Sequence, residues 1–361
     1  MTRTTAALSP LALLALAALA PAQQQKVLPH GMDFVEGPLV YTYPFGRTTG
    51  AIQLLYDAPT VTLGQGVILG MKFRQSQVTA SQTHPGYTKN YQVTAYTVAT
   101  PAATMSADPA INVGTAVGTI VFNGPVTLPP VNPLTTQPAP FTIDIPFQQP
   151  YLYDGSQGNL LFVVETADTT AVATSYRIDA VNLAFNTATG LSSSIDTAGC
   201  ANGSRSLALD VTQSTAIVGG SIQQNFTSNA PGSVPIVLAC LSLGVQPQDL
   251  TPFGMPGCTL WLAPFEFRFV TEQPGGGFLP VSWPIPNAPW AEGIAFASQG
   301  LGLAPSGQLG QSVVSNAVGT RIGGQLGATR DMGMSFRSTA SWSMGTNGVF
   351  MAVVELQGVF P

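Results

Sequence analysis

The sequence predicts an all-β fold, two antiparallel β-sandwich domains of jelly-roll type, and three features carry that expectation. Only 12 Lys or Arg and 17 Asp or Glu occur in 361 residues, a charged fraction of 8%, where average domains carry roughly 25%. Helical surfaces are paved with Glu, Lys and Arg; here Thr, Ser, Gln and Asn supply the polarity. Turn formers abound, with 38 Gly and 30 Pro, as a fold of short strands and tight turns requires. Apolar residues recur at every second position, the period of a strand with one buried face.

The chain opens with an export leader. Arg3 supplies its positive start, the run LALLALAALA at 11–20 its apolar core, and Ala20-Pro21-Ala22 a small-x-small cleavage site, so residues 1–22 are expected to be removed. That run is shorter than the ~20 residues of a bilayer span, and no second one of its apolarity follows. The mature protein is therefore expected to be soluble and secreted, in the extracellular space, the periplasm or at the cell surface. An outer-membrane barrel is not expected, because many strands carry Pro and fall short of the ~9–11 residues a barrel span needs. The formal net charge is −5, and loss of Arg3 makes the balance more acidic. Nucleic acid is excluded as a partner on that ground, since phosphate neutralisation needs clustered Lys and Arg.

Strand signals run the length of the chain. In 67–74, Val67, Leu69, Met71 and Phe73 share one face and Lys72 and Arg74 take the other. In 141–147, Phe141, Ile143, Ile145 and Phe147 oppose Thr142 and Asp144. In 265–270, Phe265, Phe267 and Phe269 oppose Glu266 and Arg268. Near the end, Phe350, Ala352, Val354, Leu356 and Phe360 line one side. Strands of this kind predict antiparallel sheets with one wet face. Turn clusters separate them at 123–125, 153–159 and 272–277. After residue 25 no stretch shows the 3.6-residue period with caps.

The first sandwich is expected over residues 23–190. A Ser/Thr/Gly-rich stretch at 187–199, TATGLSSSIDTAG, reads as a linker, and the second sandwich follows over 199–323. Residues 324–361 hold terminal strands with two possible places, finishing the second sheet or returning to complete the first domain; the return is preferred. Cys200 and Cys258 both sit in Gly-containing turns and Cys240 inside the apolar run PIVLACLSLG. Export to an oxidising space favours a Cys200–Cys258 disulfide and a buried Cys240 thiol; three reduced thiols are the other reading.

The segments GCANGS (199–204), DLTPFGMPGCTLWLAP (249–264), PIPNAPWAEGIAFASQG (284–300) and SNAVGTRIG (315–323) resemble a β-sandwich module common in secreted proteins of certain marine bacteria. In that module a Gly-Cys turn opens the domain, PGC precedes a strand, and Pro-Asn-x-Pro and Ser-Asn-x turns follow. Residues 37–59 and 139–165 resemble a companion module of the same proteins. The resemblance covers about two thirds of the mature chain and implies a secreted, non-catalytic β-sandwich of unknown role. Cys240 and residues 324–361 depart from the pattern.

Signatures of chemistry are sparse. His30 and His84 each adjoin a proline, which suggests exposed loops, and neither belongs to a metal-binding motif. No G-x-S-x-G elbow, phosphate loop or dinucleotide fingerprint occurs. Asp144 and Glu165 flank the 153–159 turn and would face each other across a hairpin if their strands paired, as two acids must in glycoside hydrolysis; two solvated surface acids are the plainer reading. Asp154, Asp168 and Asp179 are placed in loops, without the spacing of a calcium loop. No metal or other cofactor is expected.

Aromatic residues give the best hint of binding. Tyr41 and Tyr43 alternate with Phe45 and share a face if extended, and Trp283 and Trp290 flank a PIPN turn. Rings exposed in a row stack on sugars, whereas buried rings build cores. The function expected is that of a secreted structural or adhesive protein without catalysis. The alternative is carbohydrate binding through Tyr41, Tyr43, Trp283 and Trp290, and a secreted glycan hydrolase or lyase ranks below both. Partners would be polysaccharides or other cell-surface proteins.

Overall fold

A computed structural model describes residues 24–62, 64–76, 83–131, 138–169, 176–182, 190–273, 277–324, 331–337, 341–344 and 350–360. The leader expected at 1–22 lies outside them. The fold is all-β, with antiparallel ladders and, among the described residues, helical segments of one turn only. One such turn, Pro109–Val113, shows why a helix forms at all: the Asp108 side chain caps Ala110 N, proline occupies the first turn, and Gly114 ends it with φ 57°.

The first part of the chain contributes β1 (Gln24–Leu28), β2 (Leu39–Tyr41), β3 (Gly50–Tyr56), β4 (Gln65–Phe73), β5 (Tyr87–Val98), β6 (Thr119–Leu128), β7 (Ile143–Asp154), β8 (Asn159–Thr166) and β9 (Ile178–Asn182). The middle contributes β10 (Leu191–Asp196), β11 (Leu207–Val211), β12 (Ser221–Ser228), β13 (Ile236–Ser242), β14 (Val245–Asp249), β15 (Thr259–Leu262), β16 (Phe265–Thr271), β17 (Val281–Pro284), β18 (Ala295–Leu303), β19 (Val313–Val314) and β20 (Ala317–Arg321). Then come β21 (Met332–Arg337), β22 (Trp342–Met344), β23 (Phe350–Ala352) and β24 (Val354–Val359).

A sheet of order β1-β24-β4-β7 and one of order β22-β21-β3-β8-β5-β6 enclose the largest core. Ile68, Met71, Phe73, Ile143, Ile145 and Leu356 enter it from the first sheet, and Ile52, Leu54, Tyr56, Val93 and Phe162 from the second. The far face of the second sheet is not wet at its centre. Leu55 and Leu161 pack there under Ala102 and Met105, which explains why residues 51–56 are apolar almost without interruption. A small sheet, β2-β9-β23, closes one end. Residues 324–361 thus supply strands to the first core: β21 pairs with β3, β23 with β9, and β24 lies between β1 and β4.

The second core lies between β11-β12-β17 and the sheet ordered β10-β20-β18-β13-β16. Leu209, Ile222, Phe226 and Trp283 face Val237, Ala239 and Val318 across it. Gly300 admits this packing, because a Cβ there would stand 2.4 Å from a Phe226 ring carbon. The β14–β15 hairpin covers the opposite face, where Leu262 meets Ile195, Cys240, Ala297 and Ala317. Gln299 fixes it there: its carbonyl accepts from Trp261 N at 2.9 Å, and its amide donates to Thr259 O and Ser315 O.

Two expectations about how the strands are organised are corrected by this topology. The stretch read as a linker contains β10, which pairs with β20 over Leu191–Asp196. Its serines are compatible with a ladder, Ser192 Oγ lying 3.1 Å from Thr320 Oγ1, while Ile195 is buried. Asp144 and Glu165 do not face each other across a hairpin, because β7 and β8 lie in different sheets and the turn between them crosses from one layer to the other. The two cores meet where the 30–37 segment lies against the second sheet. Arg321 Nε donates to His30 O at 2.7 Å and Glu36 N to Ser193 Oγ at 2.8 Å. Gly31, with φ +75°, passes so close to Gly293 that a Cβ would meet the Gly293 carbonyl oxygen at 2.0 Å.

Candidate interaction surface

The four rings expected to stack on a ligand are not brought together. Residues 42–46 turn rather than extend, with Gly46 N bonded to Thr42 O, so Tyr41, Tyr43 and Phe45 share no open face. Phe45 is fully buried, and Tyr41 and Tyr43 pack on Phe336 at ring-centroid distances of 5.5 and 5.3 Å. Burial pushes the Tyr41 phenol well above its ordinary pKa. Trp283 belongs to the second core. Trp290 alone is open, 67% exposed on the turn Pro289–Ala291.

The acids and histidines are likewise accounted for. Asp144 stands opposite Lys72 in the β4–β7 ladder, and Glu165 pairs with Arg337 at 3.3 Å. Asp179 is not in a loop: it lies on β9, buried, with Arg74 Nε donating to its Oδ2 at 2.7 Å and Gly37 N to its Oδ1 at 2.9 Å. Asp154 caps its own turn through Ser156, and Asp168 accepts from Asn90 N. His84, expected in an exposed loop, is buried against Tyr87 and Tyr176. Among the described residues no group of three His, Cys, Asp or Glu is placed to hold a metal ion. Among them, too, no helix is long and apolar enough to cross a membrane. Cys200 and Cys258 form the disulfide and Cys240 is a buried free thiol.

The surface that stands out is one whose strand the sequence displays but whose exposure it does not. Phe265, Phe267 and Phe269 alternate on β16, and among the described residues β16 is the last strand of its sheet, pairing only with β13. Cys240 and Leu238, their cross-strand neighbours, are covered by the β14–β15 hairpin. That cover stops short of β16, leaving Phe265 39%, Phe267 50% and Phe269 66% exposed. Phe267 and Phe269 meet edge to face, their centroids 5.4 Å apart. The other face of β16 turns toward β17. Arg268 lies over the Trp283 ring, its guanidinium 4.4 Å from the centroid, and donates to Ser282 O at 2.6 Å. Glu266 beside it is exposed. A cleft of about 320 Å³ opens between β16 and β17, lined by Arg268, Phe269, Thr271, Leu279 and Val281.

Three other sheet edges are sealed, which makes the bare β16 edge informative. An unpaired edge offers a row of N–H and C=O groups to any second strand, so proteins cover, charge or shorten it. The β6 edge is capped by side-chain amides from β7: Gln148 bonds both N and O of Asn123, and Gln149 donates to Ile120 O. The β11 edge is capped by Asn316, which bonds both N and O of Leu209. At the β10 edge the Gln213 amide donates to Ser192 O, and Glu36 N donates to the Ser193 hydroxyl beside it. Among the described residues no side chain does this for residues 265–270 of β16, and Arg268 serves the β17 edge instead. The β16 edge is thus a place for another strand, with apolar rings on one face to anchor it. Comparison of the chain with protein-family models, with curated proteins and with solved structures finds no match in any of the three.

Proposed function

We propose that this chain is a secreted structural or adhesive protein of an extracellular or cell-surface layer, without catalysis, and that it joins its neighbours through the β16 edge. The observation that carries this reading is the row Phe265, Phe267 and Phe269, left open on a strand with one free edge while the β6, β10 and β11 edges are capped. Exposed apolar rows on a monomer mark places where a partner is accommodated. The leader-like residues 1–22, the low charge density and the Cys200–Cys258 bridge support a setting outside the cytoplasm. Few repelling charges also favour close contact between surfaces.

The reading is tested by fractionating cells that produce the wild-type chain and the double variant Phe267→Asn/Phe269→Thr. The wild type is expected in the cell-surface or matrix fraction, and the variant in the medium. Equal distribution of the two, or retention of the wild type in the cytoplasm, would sink the proposal. A glycan array provides the competing outcome. Binding to one polysaccharide class that is lost on Trp290→Ala would replace adhesion with sugar recognition.

A further inference from the structure

We infer that the partner of the β16 edge is the β16 edge of a second copy, paired antiparallel about a two-fold axis through Phe267. This rests on the reading of β16 as an interaction surface and adds the partner and the register. A strand that pairs with its own copy must be self-complementary, because residue i faces j and j faces i across the axis. In the order Phe265-Glu266-Phe267-Arg268-Phe269, centring the pair on Phe267 sets Glu266 opposite Arg268 of the second copy, and Arg268 opposite its Glu266. Phe265 then faces Phe269 and Phe267 faces itself. Directly opposed side chains lie on the same face ~5 Å apart between Cβ atoms. All the rings would therefore gather on one face and both opposite-charge pairs on the other.

Neighbouring registers fail. A shift of one residue sets a phenylalanine against a charge and turns every ring to the wrong face. Moving the axis to Glu266 opposes Glu266 to itself, and moving it to Arg268 opposes Arg268 to itself. A parallel in-register pair repeats both like-charge contacts. Pro264 precedes the strand and, lacking an N–H, bounds the ladder at Phe265. Arg268 has donors to spare: one N–H is engaged by Ser282 O, and the guanidinium carries five. The charges that would blunt this edge against other strands thus select one partner, the edge itself. The sheet β10-β20-β18-β13-β16 would run on into its copy.

Sedimentation of the full chain tests this with a charge swap. The wild type is expected to dimerise. Glu266→Arg sets two arginines opposite each other across the axis, and Arg268→Glu sets two glutamates opposite each other, so each variant alone should associate at least tenfold more weakly. Mixed together they regain opposite charges at both positions and should form a heterodimer. Near-UV circular dichroism checks that each variant is folded, and Phe267→Asn, which leaves the charges intact, should also be monomeric. A monomeric wild type, single charge variants that still dimerise, or a mixture that stays monomeric each overturns the inference. A monomeric wild type together with release of Phe267→Asn/Phe269→Thr from the surface fraction would leave the adhesive reading standing with a different partner. A dimer whose cellular distribution ignores those substitutions would sink the adhesive reading and leave the pairing intact.

Discussion

Two buried polar residues show how individual side chains hold this fold. Arg74 is fully buried and binds the Asp179 carboxylate through both Nε and Nη2, and Nη2 also donates to Val35 O at 2.5 Å. It therefore ties β4, β9 and the 33–37 segment together. Replacing it with methionine strands a buried carboxylate, and loss of one partner of such a pair costs about 3–5 kcal/mol. Urea unfolding of Arg74→Met should show that loss. The paired change Arg74→Met/Asp179→Leu should recover much of it, because no charge is left uncompensated. Cys240 is the complementary case. Burial pushes its thiol up to about 12, so the neutral form is favoured and the nucleophilic thiolate is scarce below that pH. The native protein at pH 8 should resist alkylation by iodoacetamide and take up one equivalent in denaturant. Rapid native labelling would mean the thiol is not sealed beneath the β14–β15 hairpin.

At the scale of elements, the hairpin and the disulfide act together. Cys200 exchanges backbone hydrogen bonds with Val314 on β19, and its side chain is bridged to Cys258 just ahead of β15. The bond joins positions 58 residues apart, and the chain-entropy treatment of a loop that long gives a stabilisation of about 4 kcal/mol. Cys200→Ser/Cys258→Ser should lower the unfolding free energy by about that amount, with the amides of β14 and β15 losing hydrogen-exchange protection first. The pairing was legible because both cysteines sit in glycine turns. The Gln299 clamp was not, since a glutamine inside an apolar strand gives no sign of which backbone groups it will meet. The strand β16 was legible from its alternation, yet nothing local distinguishes it from residues 141–147, whose phenylalanines lie against the first core.

At the scale of the whole molecule, the first core is closed by the last strands of the chain. β24 runs between β1 and β4, and β21 extends the other sheet beside β3. A chain ended at Gly324 would lose Val354, Leu356 and Met334 from that core and leave β1 without a partner. It should fail to fold residues 24–182, seen as lost exchange protection there. The amides of β10 to β20 should keep theirs, because among the described residues their sheets pair only among themselves. Protection lost throughout would mean that the two cores fold as one unit.

What the sequence determined by itself was local in origin: strands from period-2 alternation, turns from glycine and proline, the bridge from cysteine context, and the scarcity of helix from the scarcity of charge. Only the tertiary structure decided what each face meets. Trp283 and Trp290 sit in similar Pro-rich surroundings, yet one fills a core and the other stands in solvent. Residues 191–196 look like a linker and become a strand because β20 offers them a ladder. The phenylalanines of β16 are open because a hairpin from the same chain stops short of them. Burial and edge position depend on partners distant in sequence, and alternation records only that a strand has two faces.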